Sequence, residues 1–183
     1  MTGPAQDLAV IGVGNVLRGD DAVGVRVVEG LRQVAARDPH ALPPRTRLVD
    51  GGTLGLDLLP SIREARAVVI VDATRLGGPA GTVSVLRGGE IACAADPGGD
   101  TAQGVLGELV AMAGFLGWLP SDVALVGIEA ADIDVRVGMS PGVAAALPAA
   151  MDAVRAELHR MDVVPATGMS GGGVTARMAG ATA

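Results

Sequence analysis

The chain has 183 residues, 49% of them apolar, with a mean hydropathy of +0.44, enough to bury the core of one domain and to exclude global disorder. A net charge of −6 argues against a nucleic-acid surface, which needs clustered basic residues. All 14 basic residues are arginine, which removes lysine Schiff-base and P-loop lysine chemistry, and with only Phe115 and Trp118 as aromatics there is no base-stacking platform.

Leu8 to Val13 is a short continuous apolar run, the pattern of a strand buried on both faces. A polar turn, Arg18-Gly19-Asp20-Asp21, follows it. The spacing then predicts a helix over 22–36, with Val23, Val27, Leu31 and Val34 on one face. Thr46 to Val49 reads as a second strand ending in Asp50-Gly51-Gly52, and Leu54 to Ile62 as a short helix. Ala67 to Val71 is the strongest strand pattern and ends at Asp72. Thr82 to Leu86 alternates like a shorter edge strand.

The Gly- and Asp-rich stretch Gly88 to Asp100 reads as a loop. Gln103 to Leu116 has Leu106, Leu109, Val110 and Ala113 on one helical face, and Val123 to Ile128 is a last buried strand. Ser140-Pro141 supplies a helix N-cap and a proline at the first helical position. Val143, Leu147, Met151, Val154 and Leu158 then form a stripe, with Pro148 expected to kink that helix or end its first part. The domain is expected to span 1–163, and 164–183 to be a disordered Gly- and Ala-rich tail.

Buried strands alternating with helices predict an α/β fold: a three-layer α/β/α sandwich around a mostly parallel twisted sheet. Such sheets bind ligands at the carboxyl ends of their strands, near the point where strand order reverses. Asp20, Asp21, Asp50 and Asp72 all fall at strand ends.

Several motifs compete for that position. Gly12-Val13-Gly14 after the first strand suggests a nucleotide-binding α/β module, but Leu17 stands where the third glycine belongs and two aspartates would face the phosphates. Gly138 to Gly142 surrounds Ser140 as Gly-x-Ser-x-Gly. The nearer histidine, His159, lies 19 residues along the same predicted helix, about 28 Å away at about 1.5 Å per residue, so a serine triad is not assembled. Cys93, the single cysteine, reads as a small buried thiol; it excludes an internal disulfide and fits a reducing cytoplasm. Met1 to Asp7 carries no secretory-signal pattern, and no apolar run reaches the ~18 residues of a membrane span.

One of Asp20 and Asp21 is explained as an N-cap for the helix beginning at Ala22, which leaves the other unexplained. Asp72 can be a loop residue satisfying backbone amides. Together Asp21 and Asp72 can hold a divalent metal or divide acid and base roles.

The run from Ile11 to Gly24, Ile-Gly-Val-Gly-Asn-Val-Leu-Arg-Gly-Asp-Asp-Ala-Val-Gly, resembles the motif Gly-x-Gly-Asn-x-Leu-x-x-Asp-(Asp/Glu)-x-x-Gly of the NiFe-hydrogenase maturation endopeptidases. Asp50-Gly51-Gly52-Thr53, Ile70-Val71-Asp72-Ala73, the Gly81-Thr82 strand and Leu125-Val126-Gly127-Ile128 follow in the family's order, so the resemblance covers about Leu8 to Leu158. It implies removal of a short C-terminal peptide from the hydrogenase large-subunit precursor after nickel insertion. Asp21 and Asp72 match the acids that contact nickel. Asn15, Asp50, Gly51, Gly52 and Thr53 match positions that shape the same substrate-binding cleft.

In one respect the chain departs from the pattern: Ala102 stands where the family places a histidine. Imidazole suits nickel better than a further carboxylate does, so weaker metal affinity is implied. Asp100, Gln103 or the thiolates that hold nickel in the precursor are the candidate replacements. A non-proteolytic maturation protein of the same fold, binding the precursor without cutting it, is the alternative this substitution motivates.

Overall fold

The computed structural model describes residues 7–94 and 102–163, of which 92–94 and 102–105 are described by backbone alone. Five strands form one sheet: β1 (Asp7–Val13), β2 (Thr46–Gly52), β3 (Ala65–Thr74), β4 (Val83–Arg87) and β5 (Asp122–Glu129). Their order is β2-β1-β3-β5-β4, with β4 alone antiparallel to its neighbour. The chain leaves β1 for β2 on one side and then crosses back over β1 to β3. Right-handed crossovers in opposite directions put the connecting helices on opposite faces.

One face accordingly carries α1 (Val23–Arg37) and α5 (Pro141–Val163) over Leu8, Val10, Val69, Val71, Val126 and Ile128. The other carries α2 (Leu59–Arg63) and α4 (Ala102–Phe115) over Ile11, Val68, Ile70, Val123 and Leu125. Alternate residues of each apolar strand therefore feed two cores, as expected of strands without a polar face. The expected mostly parallel sheet covered on both faces is the observed architecture.

Local differences have local causes. Asp72 lies inside β3 because Ala73 and Thr74 continue pairing with Ile128 and Glu129. Asp50 likewise lies within β2, opposite Gly12, just before a register shift in the pairing with β1. The expected loop from 88 contains a short helix, α3 (Gly89–Ala94). Its start is secured by Glu90, whose Oε2 accepts the Arg87 N–H at 2.9 Å, in the manner of a capping box. The predicted helix over 54–62 is a 3₁₀ turn, Gly55–Leu58, running into α2.

Pro148 does not end α5, which continues to Val163. Both Pro148 and Ala144, whose carbonyl loses its helical donor, are exposed, so water can satisfy that carbonyl. The buried face of α5 also includes Ala146, Ala150, Glu157 and Met161, while Leu147 and Met151 are only partly covered. Glu157 is held by Arg87 of β4 and Arg160, and Arg160 also forks onto Asp122 at 2.7 and 3.0 Å. This network ties the edge strand, α5 and the start of β5. Among the described residues no helix is long and apolar enough to cross a membrane. The tail beyond 163 and Asp100 lie outside the described residues, as do the side chains of Cys93 and Gln103.

Candidate active site

The strand order reverses between β1 and β3, and the loop after β1 carries the first acid to that point. Gly12 and Gly24 bring this about. A Cβ on Gly24 would lie 2.3 Å from the carbonyl oxygens of both Val13 and Val71, and one on Gly12 would lie 2.2 Å from the Gly24 oxygen. Only glycine at both positions lets the start of α1 rest directly on β1 and β3. Gly14, at φ 127°, turns the chain, and its N–H donates to Gly52 O at 2.9 Å, joining this turn to the end of β2.

Asp20 and Asp21 occupy a 3₁₀ turn, Gly19–Ala22, ahead of α1, and neither side chain caps a helix. The expected N-cap role is thus corrected, because both carboxylates find other environments. Asp20, fully buried, reaches the loop after β5. It accepts the N–H of Ala131 at 2.9 Å, of Asp132 at 3.0 Å and of Ser140, and the Ser140 hydroxyl at 2.9 Å. Burial raises its proton affinity, but the donors from Ser140, Asp132 and Ala131 outweigh this and hold its pKa below the usual carboxylate value. Ser140 stands directly before Pro141, the first residue of α5, and its carbonyl accepts the Ala144 N–H at 2.9 Å, the expected N-cap position, while its hydroxyl donates to Asp20.

Asp21 is 4% exposed; its Oδ2 accepts the Asn15 N–H at 2.8 Å, while Oδ1 has no partner. Asn15 Oδ1 in turn accepts the Leu17 N–H at 2.9 Å, fixing the turn locally. Asp72 is 1% exposed; its Oδ1 accepts the Ala73 N–H at 2.8 Å and its Oδ2 also lacks a partner. Burial first, then the nearby charge of Asp21, push the Asp72 pKa well above its ordinary value. The structure therefore brings Asp21 and Asp72 together, with Asn15 bonded to the first.

The β2 turn stands farther out. Gly51 is buried, packed so closely that a Cβ would lie 3.0 Å from the Gly12 oxygen and from Leu58. Asp50 is exposed on this edge strand and Thr53 in the turn just after it, and β1 lies between β2 and β3. Ala102 is the first residue of α4, the helix that covers the sheet face on which Asp72 lies. Among the described residues no group of three His, Cys, Asp or Glu could hold a metal ion.

Sequence reasoning did not reach Glu129, at the end of β5. It is buried, and its two oxygens accept the N–H groups of Leu76 and Gly77 at 2.8 and 2.9 Å, pinning the loop after β3. A charged residue closing an otherwise apolar strand was its only signal. The hydroxyl of Thr74, buried without a partner, was also missed.

The architecture is that of a doubly wound α/β protein with two incompletely bonded carboxylates near its switch point. The family model "Hydrogenase maturation protease" matches residues 25–157. The chain belongs to this hydrogenase maturation protease family, an endopeptidase family. It is 36% identical over 149 residues to hydrogenase expression/formation protein HupD of Rhodobacter capsulatus, covering 80% of this chain and 69% of that one. It is 32% identical over 158 residues to the hydrogenase 2 maturation protease of Escherichia coli, covering 85% and 93%. The solved structure of the hydrogenase maturating endopeptidase HybD from E. coli superposes with a TM-score of 0.74 at 30% identity, over 85% of this chain and 93% of that one.

Proposed function

We propose that this chain hydrolyses a peptide bond near the C-terminus of a NiFe-hydrogenase large-subunit precursor already loaded with nickel, and that Asp21 and Asp72 contact that nickel. The observation that carries this reading is the pair of buried oxygens, Asp21 Oδ1 and Asp72 Oδ2, that meet no donor. Unsatisfied buried oxygens cost the fold stability, and a divalent cation relieves both at once. Two carboxylates do not complete a nickel site, so on this reading the metal arrives with the substrate, carrying its other ligands.

Asp72 holds a proton readily in the free protein, and an approaching cation favours its release. Cleavage itself is hydrolysis: water oxygen bonds to the scissile carbonyl carbon, the C–N bond breaks and the released amine takes a proton. The acids anchor the nickel end of the precursor and thereby orient the scissile segment. Asn15 and the turn of Asp50, Gly51, Gly52 and Thr53 form the adjoining wall of the cleft. The lone cysteine supports a cytoplasmic location.

The test is the intact mass of a nickel-loaded precursor before and after incubation with this protein, with Asp21→Asn and Asp72→Asn in parallel. Loss of a discrete C-terminal peptide with the unaltered chain, and not with either variant, is expected. Cleavage that survives both substitutions overturns the assignment of the acids. No cleavage by the unaltered chain, while the same precursor binds to it, overturns the endopeptidase reading in favour of a binding role.

A further inference from the structure

We infer that Thr74 contacts the substrate in the cleavage proposed above, donating its hydroxyl hydrogen to a peptide carbonyl held beside Asp21 and Asp72. The inference rests on that cleavage and adds a residue to it. Thr74 lies two positions beyond Asp72 on β3, so both side chains leave the same face of the sheet. It is 3% exposed, and its Oγ1 has no hydrogen-bond partner.

Its location is set by the neighbouring strand. Gly127 pairs with Asp72 across the sheet. A Cβ on Gly127 would lie 2.6 Å from Thr74 Cγ2 and 3.0 Å from its Oγ1. The threonine side chain therefore leans back over Gly127 into the room that a side chain there would take, beside Asp72. The backbone on which it stands is fixed, since Thr74 O accepts the Ala130 N–H at 2.9 Å and Glu129 grips the residues just beyond.

The chemistry that this place lacks is donation. Once the approaching cation has released the Asp72 proton, Asp21 and Asp72 can only accept, whereas a peptide carbonyl under attack develops negative charge on its oxygen and needs a donor preset for it. A threonine hydroxyl supplies one whatever the pH. Valine would fill the same space above Gly127 without burying an unpaired hydroxyl, so packing alone does not require threonine.

The test compares Thr74→Val with Thr74→Ser in the precursor-cleavage assay, with Asp72→Asn alongside. Thr74→Val is expected to lower kcat by roughly 10²-fold, the scale of one lost oxyanion donor, with KM little changed. Its melting temperature should hold or rise, and Thr74→Ser should restore most of the rate. Thr74→Val cleaving at the unaltered rate overturns the inference, and so does Thr74→Ser failing as badly as Thr74→Val, which would make shape rather than the hydroxyl the requirement. If Asp72→Asn is inactive while Thr74→Val is not, Thr74 alone is overturned; if both cleave normally, the acid pair falls with it.

Discussion

Two pairs of buried carboxylates stand at the same edge of this sheet and do opposite things. Asp20 and Glu129 are saturated: each gathers backbone N–H groups from a loop and ties that loop to the sheet. Asp21 and Asp72 are each left with one oxygen that nothing satisfies. Neighbours in sequence, Asp20 and Asp21 find different partners across the fold, and that decides which is a structural clamp and which keeps an unpaired oxygen. A buried carboxylate given donors for both of its oxygens strengthens a fold, and one denied them weakens it in exchange for reactivity.

The sharpest break in this contrast is expected from the unsatisfied pair. Replacing either Asp21 or Asp72 by asparagine should lower precursor processing by ~10³-fold or more, read by mass spectrometry, since the cation contact would lose a charge. Asp72→Asn should at the same time stabilise the fold by about 1–3 kcal/mol, because burial of a charge beside another charge is removed. Lost activity with gained stability is the signature of a site residue; loss of both would make Asp72 a structural acid like Asp20.

On the saturated side, Asp20→Ala should cost about 3 kcal/mol in chemical denaturation, leaving three amides and a hydroxyl without an acceptor. Hydrogen exchange at Ala131, Asp132 and Ser140 should quicken most, as these amides lose their partner directly. Uniform exchange across the chain would mean that the clamp is not local.

The pH dependence should separate the two kinds of acid by sign. The Asp20 pKa is lowered by folding, so its stabilisation is present above the unfolded value near 3.8 and is lost as pH falls through the folded one. That of Asp72 is raised, so its penalty is absent below about the same unfolded value, grows as pH rises toward the folded pKa and is full above it. Relative to the unaltered chain, Asp20→Asn should therefore be most destabilised near neutrality, and Asp72→Asn most stabilised there, with both differences shrinking toward pH 3. Melting curves at several pH values read this directly. The smallest effect is expected of Ser140→Ala, which removes one of four donors to Asp20: about 1 kcal/mol, with cleavage retained.

Much of the site could be read in the chain itself. Asp21 and Asp72 were picked out by their place after apolar runs and Asn15 by its match to the family motif, and the structure brings all three to the switch point. Asp50, picked out at a strand end, lies exposed on the edge strand β2, and Thr53, picked out by the motif, lies exposed just beyond it. A strand-end position says that a residue is on the right side of the sheet and not how far along it. Thr74 and Glu129 gave almost no local signal, since a threonine in a strand is ordinary and a glutamate at a strand end commonly meets water.

What the sequence determined by itself was the alternation of buried strands and helices, and with it the α/β sandwich and the strand ends at which Asp21 and Asp72 stand. Those follow from periodicity and short-range motifs, which act over a few residues at a time. Only the tertiary structure decided which carboxylate is saturated. Asp20 finds its donors 111 to 120 residues away in the loop after β5, while Asp72 Oδ2 finds none. Hydrogen-bond saturation is set by what the folded chain places within about 3 Å, and no local pattern of residues contains that distance.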